Sequence, residues 1–183
     1  MKHIAIISAS VREGRLSHRV ALFIQKYIEE NNLATVEILD LKAYDFPLFS
    51  ERLMFQKNPS EKVLDFADRF NKADGVIIVS PVYNASFPAA LKNVIDLFVK
   101  EWRDKIIAVA SVTSGDNAGI ATALQIQSLL IKLGALVVPA SYTAIKAETG
   151  YDEKGNATEE IAKKRIDAFV RKLLQLVEQM QKR

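Results

Sequence analysis

The sequence predicts an α/β protein, a parallel sheet covered by helices on both faces. Three observations lead there. Short apolar runs alternate with longer segments of helical period. The runs are β-branched and unbroken, as in Val76-Ile77-Ile78-Val79, which is how strands buried on both faces read. The intervening segments place apolar residues at i, i+3, i+4 and i+7, one stripe per helix.

Taken in order, the first strand is expected at 4–8 and its helix at 17–31. A second strand at 36–41 precedes a helix at 60–72, with Val63, Phe66, Ala67 and Phe70 on one stripe. The third strand, 75–80, leads to a helix at 88–100, which Pro88 suits as a first-turn residue and whose stripe is Leu91, Val94, Ile95 and Phe98. The fourth strand, 105–111, precedes a helix at 117–133. That helix carries Ile120, Leu124, Ile126, Leu129, Leu130, Ile131 and Leu133, more apolar width than one stripe holds. Either it is thickly covered within the monomer, or its second stripe faces a partner subunit. A fifth strand at 136–139 is followed by a polar stretch, 148–157, that reads as an exposed loop or small hairpin. The last helix, 158–181, closes the chain. No internal repeat or linker interrupts 1–183, so one domain is expected, with right-handed crossovers.

Composition narrows the function. The 183 residues are 49% hydrophobic and 26% charged, as in ordinary globular proteins. A net charge of +3 suits a phosphorylated small molecule and does not demand nucleic acid. The absence of cysteine excludes disulfides, thiolate nucleophiles and Cys-ligated metal sites, and fits a cytoplasmic setting. The N-terminus runs straight into a strand pattern without the features of a signal peptide, and no apolar run reaches the roughly 18 residues of a membrane span. His3 and His18 read as surface residues, and no spacing resembles a zinc site.

Ligands of open α/β sheets bind beyond the carboxyl ends of the strands, so three loops carry the argument. After strand one comes Ser8-Ala9-Ser10-Val11-Arg12-Glu13-Gly14-Arg15-Leu16-Ser17. Hydroxyls and arginines before a helix N-terminus suit a phosphate; the other reading is an ordinary turn with Ser17 as N-cap and solvated Arg12 and Arg15. The loop is neither G-x-G-x-x-G nor G-K-[ST], which argues against a dinucleotide fingerprint and a P-loop. After strand three comes Pro81-Val82-Tyr83-Asn84, where Tyr83 offers a flat surface for a ring, or simply packs in a plain loop. After strand four, Ser111-Val112-Thr113-Ser114-Gly115-Asp116-Asn117 either admits a flat ligand beside Gly115 or ends in an Asn117 helix cap. No G-x-S-x-G elbow is present, and strand three ends in Ser80, unlike a phospho-accepting receiver.

Together, Ser10-Val11-Arg12-Glu13-Gly14-Arg15, Pro81-Val82-Tyr83-Asn84 and Phe87-Pro88-Ala89-Ala90-Leu91-Lys92-Asn93-Val94-Ile95-Asp96 give a pattern that resembles the NAD(P)H-dependent FMN reductase family, with its azo-, quinone- and chromate-reductase-like members. The resemblance runs over about residues 2–139. It implies a flavodoxin-like sheet of order 2-1-3-4-5. It implies that Ser10, Arg12 and Ser17 hold the FMN phosphate, that Pro81, Tyr83 and Asn84 line the isoalloxazine, and that Ser114 and Gly115 close the other side. Arg15 is a candidate for the flavin phosphate or the nicotinamide dinucleotide. Val82 stands where the family often has Glu or Gln, which leaves backbone contacts there, and the fourth loop is poorer in glycine than the family pattern. The implied activity is passage of electrons from NADPH or NADH through FMN to a small acceptor: a quinone, azo compound, metal oxyanion or flavin. The cofactor performs that chemistry without a side-chain acid or base. The family is typically dimeric or tetrameric. The competing readings are a non-enzymatic FMN electron carrier, which the charge of +3 disfavours because such carriers are acidic, and a flavin-binding redox sensor.

Overall fold

Side chains of successive strand residues point to opposite faces, and here that alternation splits the interior into two cores. Ile4, Ile6, Ile77, Val79, Ala108 and Ala110 lie in one. Ala5, Ile7, Val76, Ile78, Ile107 and Val109 lie in the other. The computed structural model describes residues 1–117 and 119–182. Its strands are β1 (His3–Ser8), β2 (Thr35–Asp40), β3 (Gly75–Pro81), β4 (Ile106–Val112) and β5 (Leu136–Ala144). All pair in parallel, in the order β2-β1-β3-β4-β5, which is the expected flavodoxin-like topology.

Helices α1 (Leu16–Glu30) and α7 (Glu160–Gln181) cover the first core, through Val20, Ile24, Leu173 and Val177. Helices α3 (Glu61–Lys72), α4 (Ala89–Leu97) and α5 (Ile120–Lys132) cover the second. There Phe66 stacks on Phe98 at 5.0 Å, and Phe70 meets the edge of Trp102 at 4.8 Å. Each offset or edge-on pair adds to the burial itself. Two short helical turns, α2 (Leu41–Tyr44) and α6 (Ala147–Gly150), follow β2 and β5. Among the described residues no helix is long and apolar enough to cross a membrane.

Several boundaries differ from the expectation. β2 stops at Asp40, because the Asp40 carboxylate accepts the Lys42 N–H and caps α2; Leu41 continues the apolar run as a buried helical residue. β5 runs to Ala144, well past 139. It is an edge strand, where Pro139 costs no ladder bond and polar Ser141 and Thr143 face outward. The helix expected at 88–100 ends at Leu97 and gives way to a 3-10 turn, Lys100–Trp102. The helix expected from 117 begins at Ile120 behind Gly119, so Asn117 is not its cap; Ala118 lies outside the described residues.

Of the stretch 148–157, the first three residues belong to α6 and Tyr151–Ala157 form a small hairpin closed by a bridge between its ends; it is less exposed than its polarity suggests. Tyr151 is buried, and its hydroxyl meets that of Tyr142 at 2.5 Å. Gly155 has φ +74°, and a Cβ there would lie 2.6 Å from Leu22 Cβ and 2.7 Å from the Phe23 nitrogen. The hairpin therefore docks on α1 backbone to backbone. A Gly155→Ala variant should lose about 3 kcal/mol, from the left-handed backbone together with the overpacking. The check is a lower urea midpoint at unchanged slope.

Candidate functional site

The register places Ser8 beside Asp40 on one side and Val79 on the other, and Pro81 beside Val112. The loops after β1, β3 and β4 thus leave one edge of the sheet. The order reverses between β1 and β3, and such a switch point opens a crevice for a ligand.

The first loop is built around α1. The helix is N-capped by Arg15, whose side chain makes no cap bond, and the first turn holds no acidic residue. Its leading N–H groups therefore offer a partial positive charge. Ser17 is not the cap: it sits inside the first turn, buried, and its Oγ has no hydrogen-bond partner. A buried unpaired hydroxyl costs stability, so its presence at an uncapped helix start points to an acceptor-rich ligand. Ser10 Oγ receives the Arg12 N–H at 3.3 Å and lies 2.7 Å from the Tyr83 hydroxyl, which joins the first loop to the third. The Arg12 side chain is exposed.

Arg15 is not solvated. Its guanidinium makes a two-pronged ion pair with Asp40, with Nη2 2.5 Å from Oδ2, and Nη1 also donates to the Ser10 carbonyl at 2.8 Å. Burial of Asp40 opposes its ionisation, but the bonds from Arg15 and the Lys42 N–H and the Arg15 charge outweigh it and hold the carboxyl below its usual range. His18 is also more than a surface residue. Its Nδ1 lies 3.0 Å from the buried Ser8 hydroxyl, and burial, then the Arg15 charge, press its pKa down against the pull of Asp40.

In the third loop, Tyr83 and Ser86 exchange backbone hydrogen bonds of 2.8 and 2.9 Å across Asn84 (φ +50°) and Ala85 (φ +60°). This is the left-handed two-residue turn that normally selects Asn and Gly. Gln125 of α5 braces it, through Ser86 Oγ at 2.7 Å and the Ala85 carbonyl at 3.2 Å. Val82 meets the fourth loop: a Cβ on Gly119 would lie 2.5 Å from Val82 Cγ2 and 3.0 Å from Ser111 Cβ. The valine at this position thus serves as a spacer against which only glycine fits. Ser114 and Gly115 are exposed, and their loop is tied to the turn after β5 by the Lys146 N–H to Gly115 carbonyl bond (3.0 Å) and by the Lys146–Asp116 ion pair (2.8 Å).

The structure therefore brings Ser10, Arg12, Arg15, Ser17 and Tyr83 around the start of α1 and sets Pro81 and Val82 against the fourth loop. Asp40, His18, Gly119 and Gln125 were not singled out from the sequence as site residues. The signal for Asp40 was a carboxylate ending the strand next to β1, facing a loop with two arginines. A cleft of about 630 Å³ lies elsewhere, between α1, the hairpin and α7. A smaller pocket of about 210 Å³ adjoins the first loop at Val11 and is lined by Leu41, Phe46, Leu48 and α4, with Asp45 at its side.

Comparison with known proteins shows the family and agrees with the fold. The chain is 28% identical over 160 residues to an NAD(P)H-dependent FMN reductase of Saccharomyces cerevisiae, covering 80% of this chain and 82% of the relative. It is 29% identical over 147 residues to a quinone reductase of Pseudomonas putida, covering 76% of each. The flavoenzyme NAD(P)H:(acceptor) oxidoreductase of Paracoccus denitrificans superposes with a TM-score of 0.80 at 26% identity, covering 98% of both chains. The family model for NADPH-dependent FMN reductase matches residues 1–150, and the chain belongs to that oxidoreductase family.

Proposed function

We propose that this chain is an enzyme that holds FMN at the carboxyl edge of its sheet, oxidises NADPH or NADH, and reduces a small acceptor. The observation that carries the reading is the buried, unpartnered Ser17 hydroxyl inside the uncapped first turn of α1, next to a loop that carries buried Ser10 and exposed Arg12. That set of donors suits a terminal monophosphate, and α1 supplies N–H groups and a dipole of the right sign. Arg12 would add charge, and Ser10 a hydroxyl. Pro81, Val82, Tyr83 and Asn84 would border the ring, with the turn at Asn84–Ala85 fixed by Gln125. Ser114 and Gly115 would face it from the fourth loop. The chemistry that FMN supplies when bound is two-electron exchange between a nicotinamide donor and an acceptor. The protein's part is to align the two partners and exclude competing orientations. The apolar pocket beside Val11 favours an uncharged planar acceptor such as a quinone.

We further read the protein as a homodimer or homotetramer. Ile120, Leu124 and Ile131 lie on one stripe of α5 and are 57%, 58% and 64% exposed, while Ala123, Ile126 and Leu130 of the adjoining stripe are buried. Such a stripe is an association surface by its chemistry.

Titrating the desalted protein with FMN should give saturable binding, and one anaerobic addition of NADPH should bleach the bound flavin. Binding without bleaching would favour a carrier or sensor, and no binding at micromolar FMN would reject the site. Ser17→Ala should leave the apo-protein as stable or slightly more so, because an unpaired buried hydroxyl is lost, while weakening FMN about tenfold or more. Light scattering should find the wild type at least dimeric and a Leu124→Glu variant monomeric; a monomeric wild type would reject the α5 interface.

A further inference from the structure

Asp40 is the last residue of β2 and lies beside Ser8 of β1. Its carboxylate serves two elements at once: it caps α2 through the Lys42 N–H at 3.0 Å, and it takes both prongs of the Arg15 guanidinium. Arg15 in turn reaches the Ser10 carbonyl at 2.8 Å. A second tie crosses the same gap, from the Lys42 ammonium to Glu13 at 2.5 Å. The Arg15–Asp40 pair is shielded, with side chains only 13% and 20% exposed, whereas Glu13 stands in solvent at 92%. The first pair is therefore the stronger restraint, since exposed ion pairs contribute little.

This arrangement determines what Arg15 does. A guanidinium carries five N–H donors in a fixed fork, and here three of them go to a carboxylate and a carbonyl. Its charge is matched by Asp40. Both facts make Arg15 a poorer anion holder than Arg12, the loop's exposed cation.

We infer that Asp40 is a positioning residue for the cofactor phosphate, acting through Arg15 to fix the course of residues 10–15 so that Ser10, Arg12 and the first N–H groups of α1 converge on one point. The inference rests on the FMN reading above. It predicts an effect opposite in sign to simple electrostatics. Removing a negative charge beside a phosphate site should tighten phosphate binding if Asp40 merely competes for Arg15. If Asp40 sets the loop, the same change weakens binding, because the order of the loop must then come out of the binding energy.

The test is a fluorescence titration of wild type and Asp40→Asn with FMN and with riboflavin, which lacks the phosphate. Asparagine keeps the size of the side chain and an oxygen that caps α2 as well as aspartate does. Asp40→Ser, also a good cap, is the second variant should the first fail to fold. The expected result is about tenfold weaker FMN binding with riboflavin binding unchanged, so that the preference for the phosphorylated flavin collapses. Unchanged or tighter FMN binding would overturn the inference and assign Arg15 to the phosphate. Equal weakening of both flavins would also overturn it, by showing a general structural role. A wild type that binds neither flavin would fail the FMN reading itself, and this inference with it.

Discussion

Ser8 pairs with Asp40 on one side and Val79 on the other, and this parallel register constrains everything built above it. A parallel sheet with both faces covered leaves its strands no solvated side. Each interior residue of β1, β3 and β4 is buried, and each must serve packing. Polar chemistry is pushed to the ends of the strands. Ser8, Ser80 and Ser111 mark that edge, all buried and all at or next to the last residue of a strand. The same register brings the carboxylate of β2 within reach of the loop that leaves β1.

The site holds strain and unpaired groups that the fold alone does not require. Ala85 occupies a left-handed conformation that costs an alanine about 1 kcal/mol. Ser17 Oγ and Ser111 Oγ are buried without partners, each a cost of about 1–3 kcal/mol. The core beneath carries these costs easily, with its stacked Phe66, Phe70 and Phe98 and its fully buried isoleucines. Among the described residues Trp102 Nε1 and Thr122 Oγ1 are buried without partners as well, so what sets Ser17 apart is its place in the first turn of a helix that no side chain caps.

What could be read from the sequence follows from which forces are local. The β-branched runs at 4–8 and 75–80 and the stripes of the long helices depend on period alone, and they were legible. The strand order came only through family resemblance, because period carries no information about neighbours. β5 was cut short at 139 because its outer half alternates polar and apolar residues around Pro139, as an edge strand does. Residue chemistry alone does not separate Arg12 from Arg15, two basic residues of one loop; only the family resemblance gives Arg12 the firmer role. What separates them physically is Asp40, 25 residues away from Arg15, and no local pattern reports that pairing. The sequence leaves Val82 only backbone contacts, whereas in the structure its methyl group lies against Gly119, where a Cβ would come within 2.5 Å of it.

Charge at the loop gives the last step. Arg12, Arg15 and Lys42 would form a cluster of three cations at a helix N-terminus, attractive to any polyanion. Glu13 and Asp40 answer two of them. The remainder is one open arginine, a set of N–H groups and hydroxyls, and the partial charge of α1. That is a weak field with many donors at short range, which favours a single compact phosphate that can be surrounded, over an extended polyphosphate or nucleic acid backbone that needs many separate cations. Neutralising Arg15 thus both holds the loop in place and narrows what it accepts.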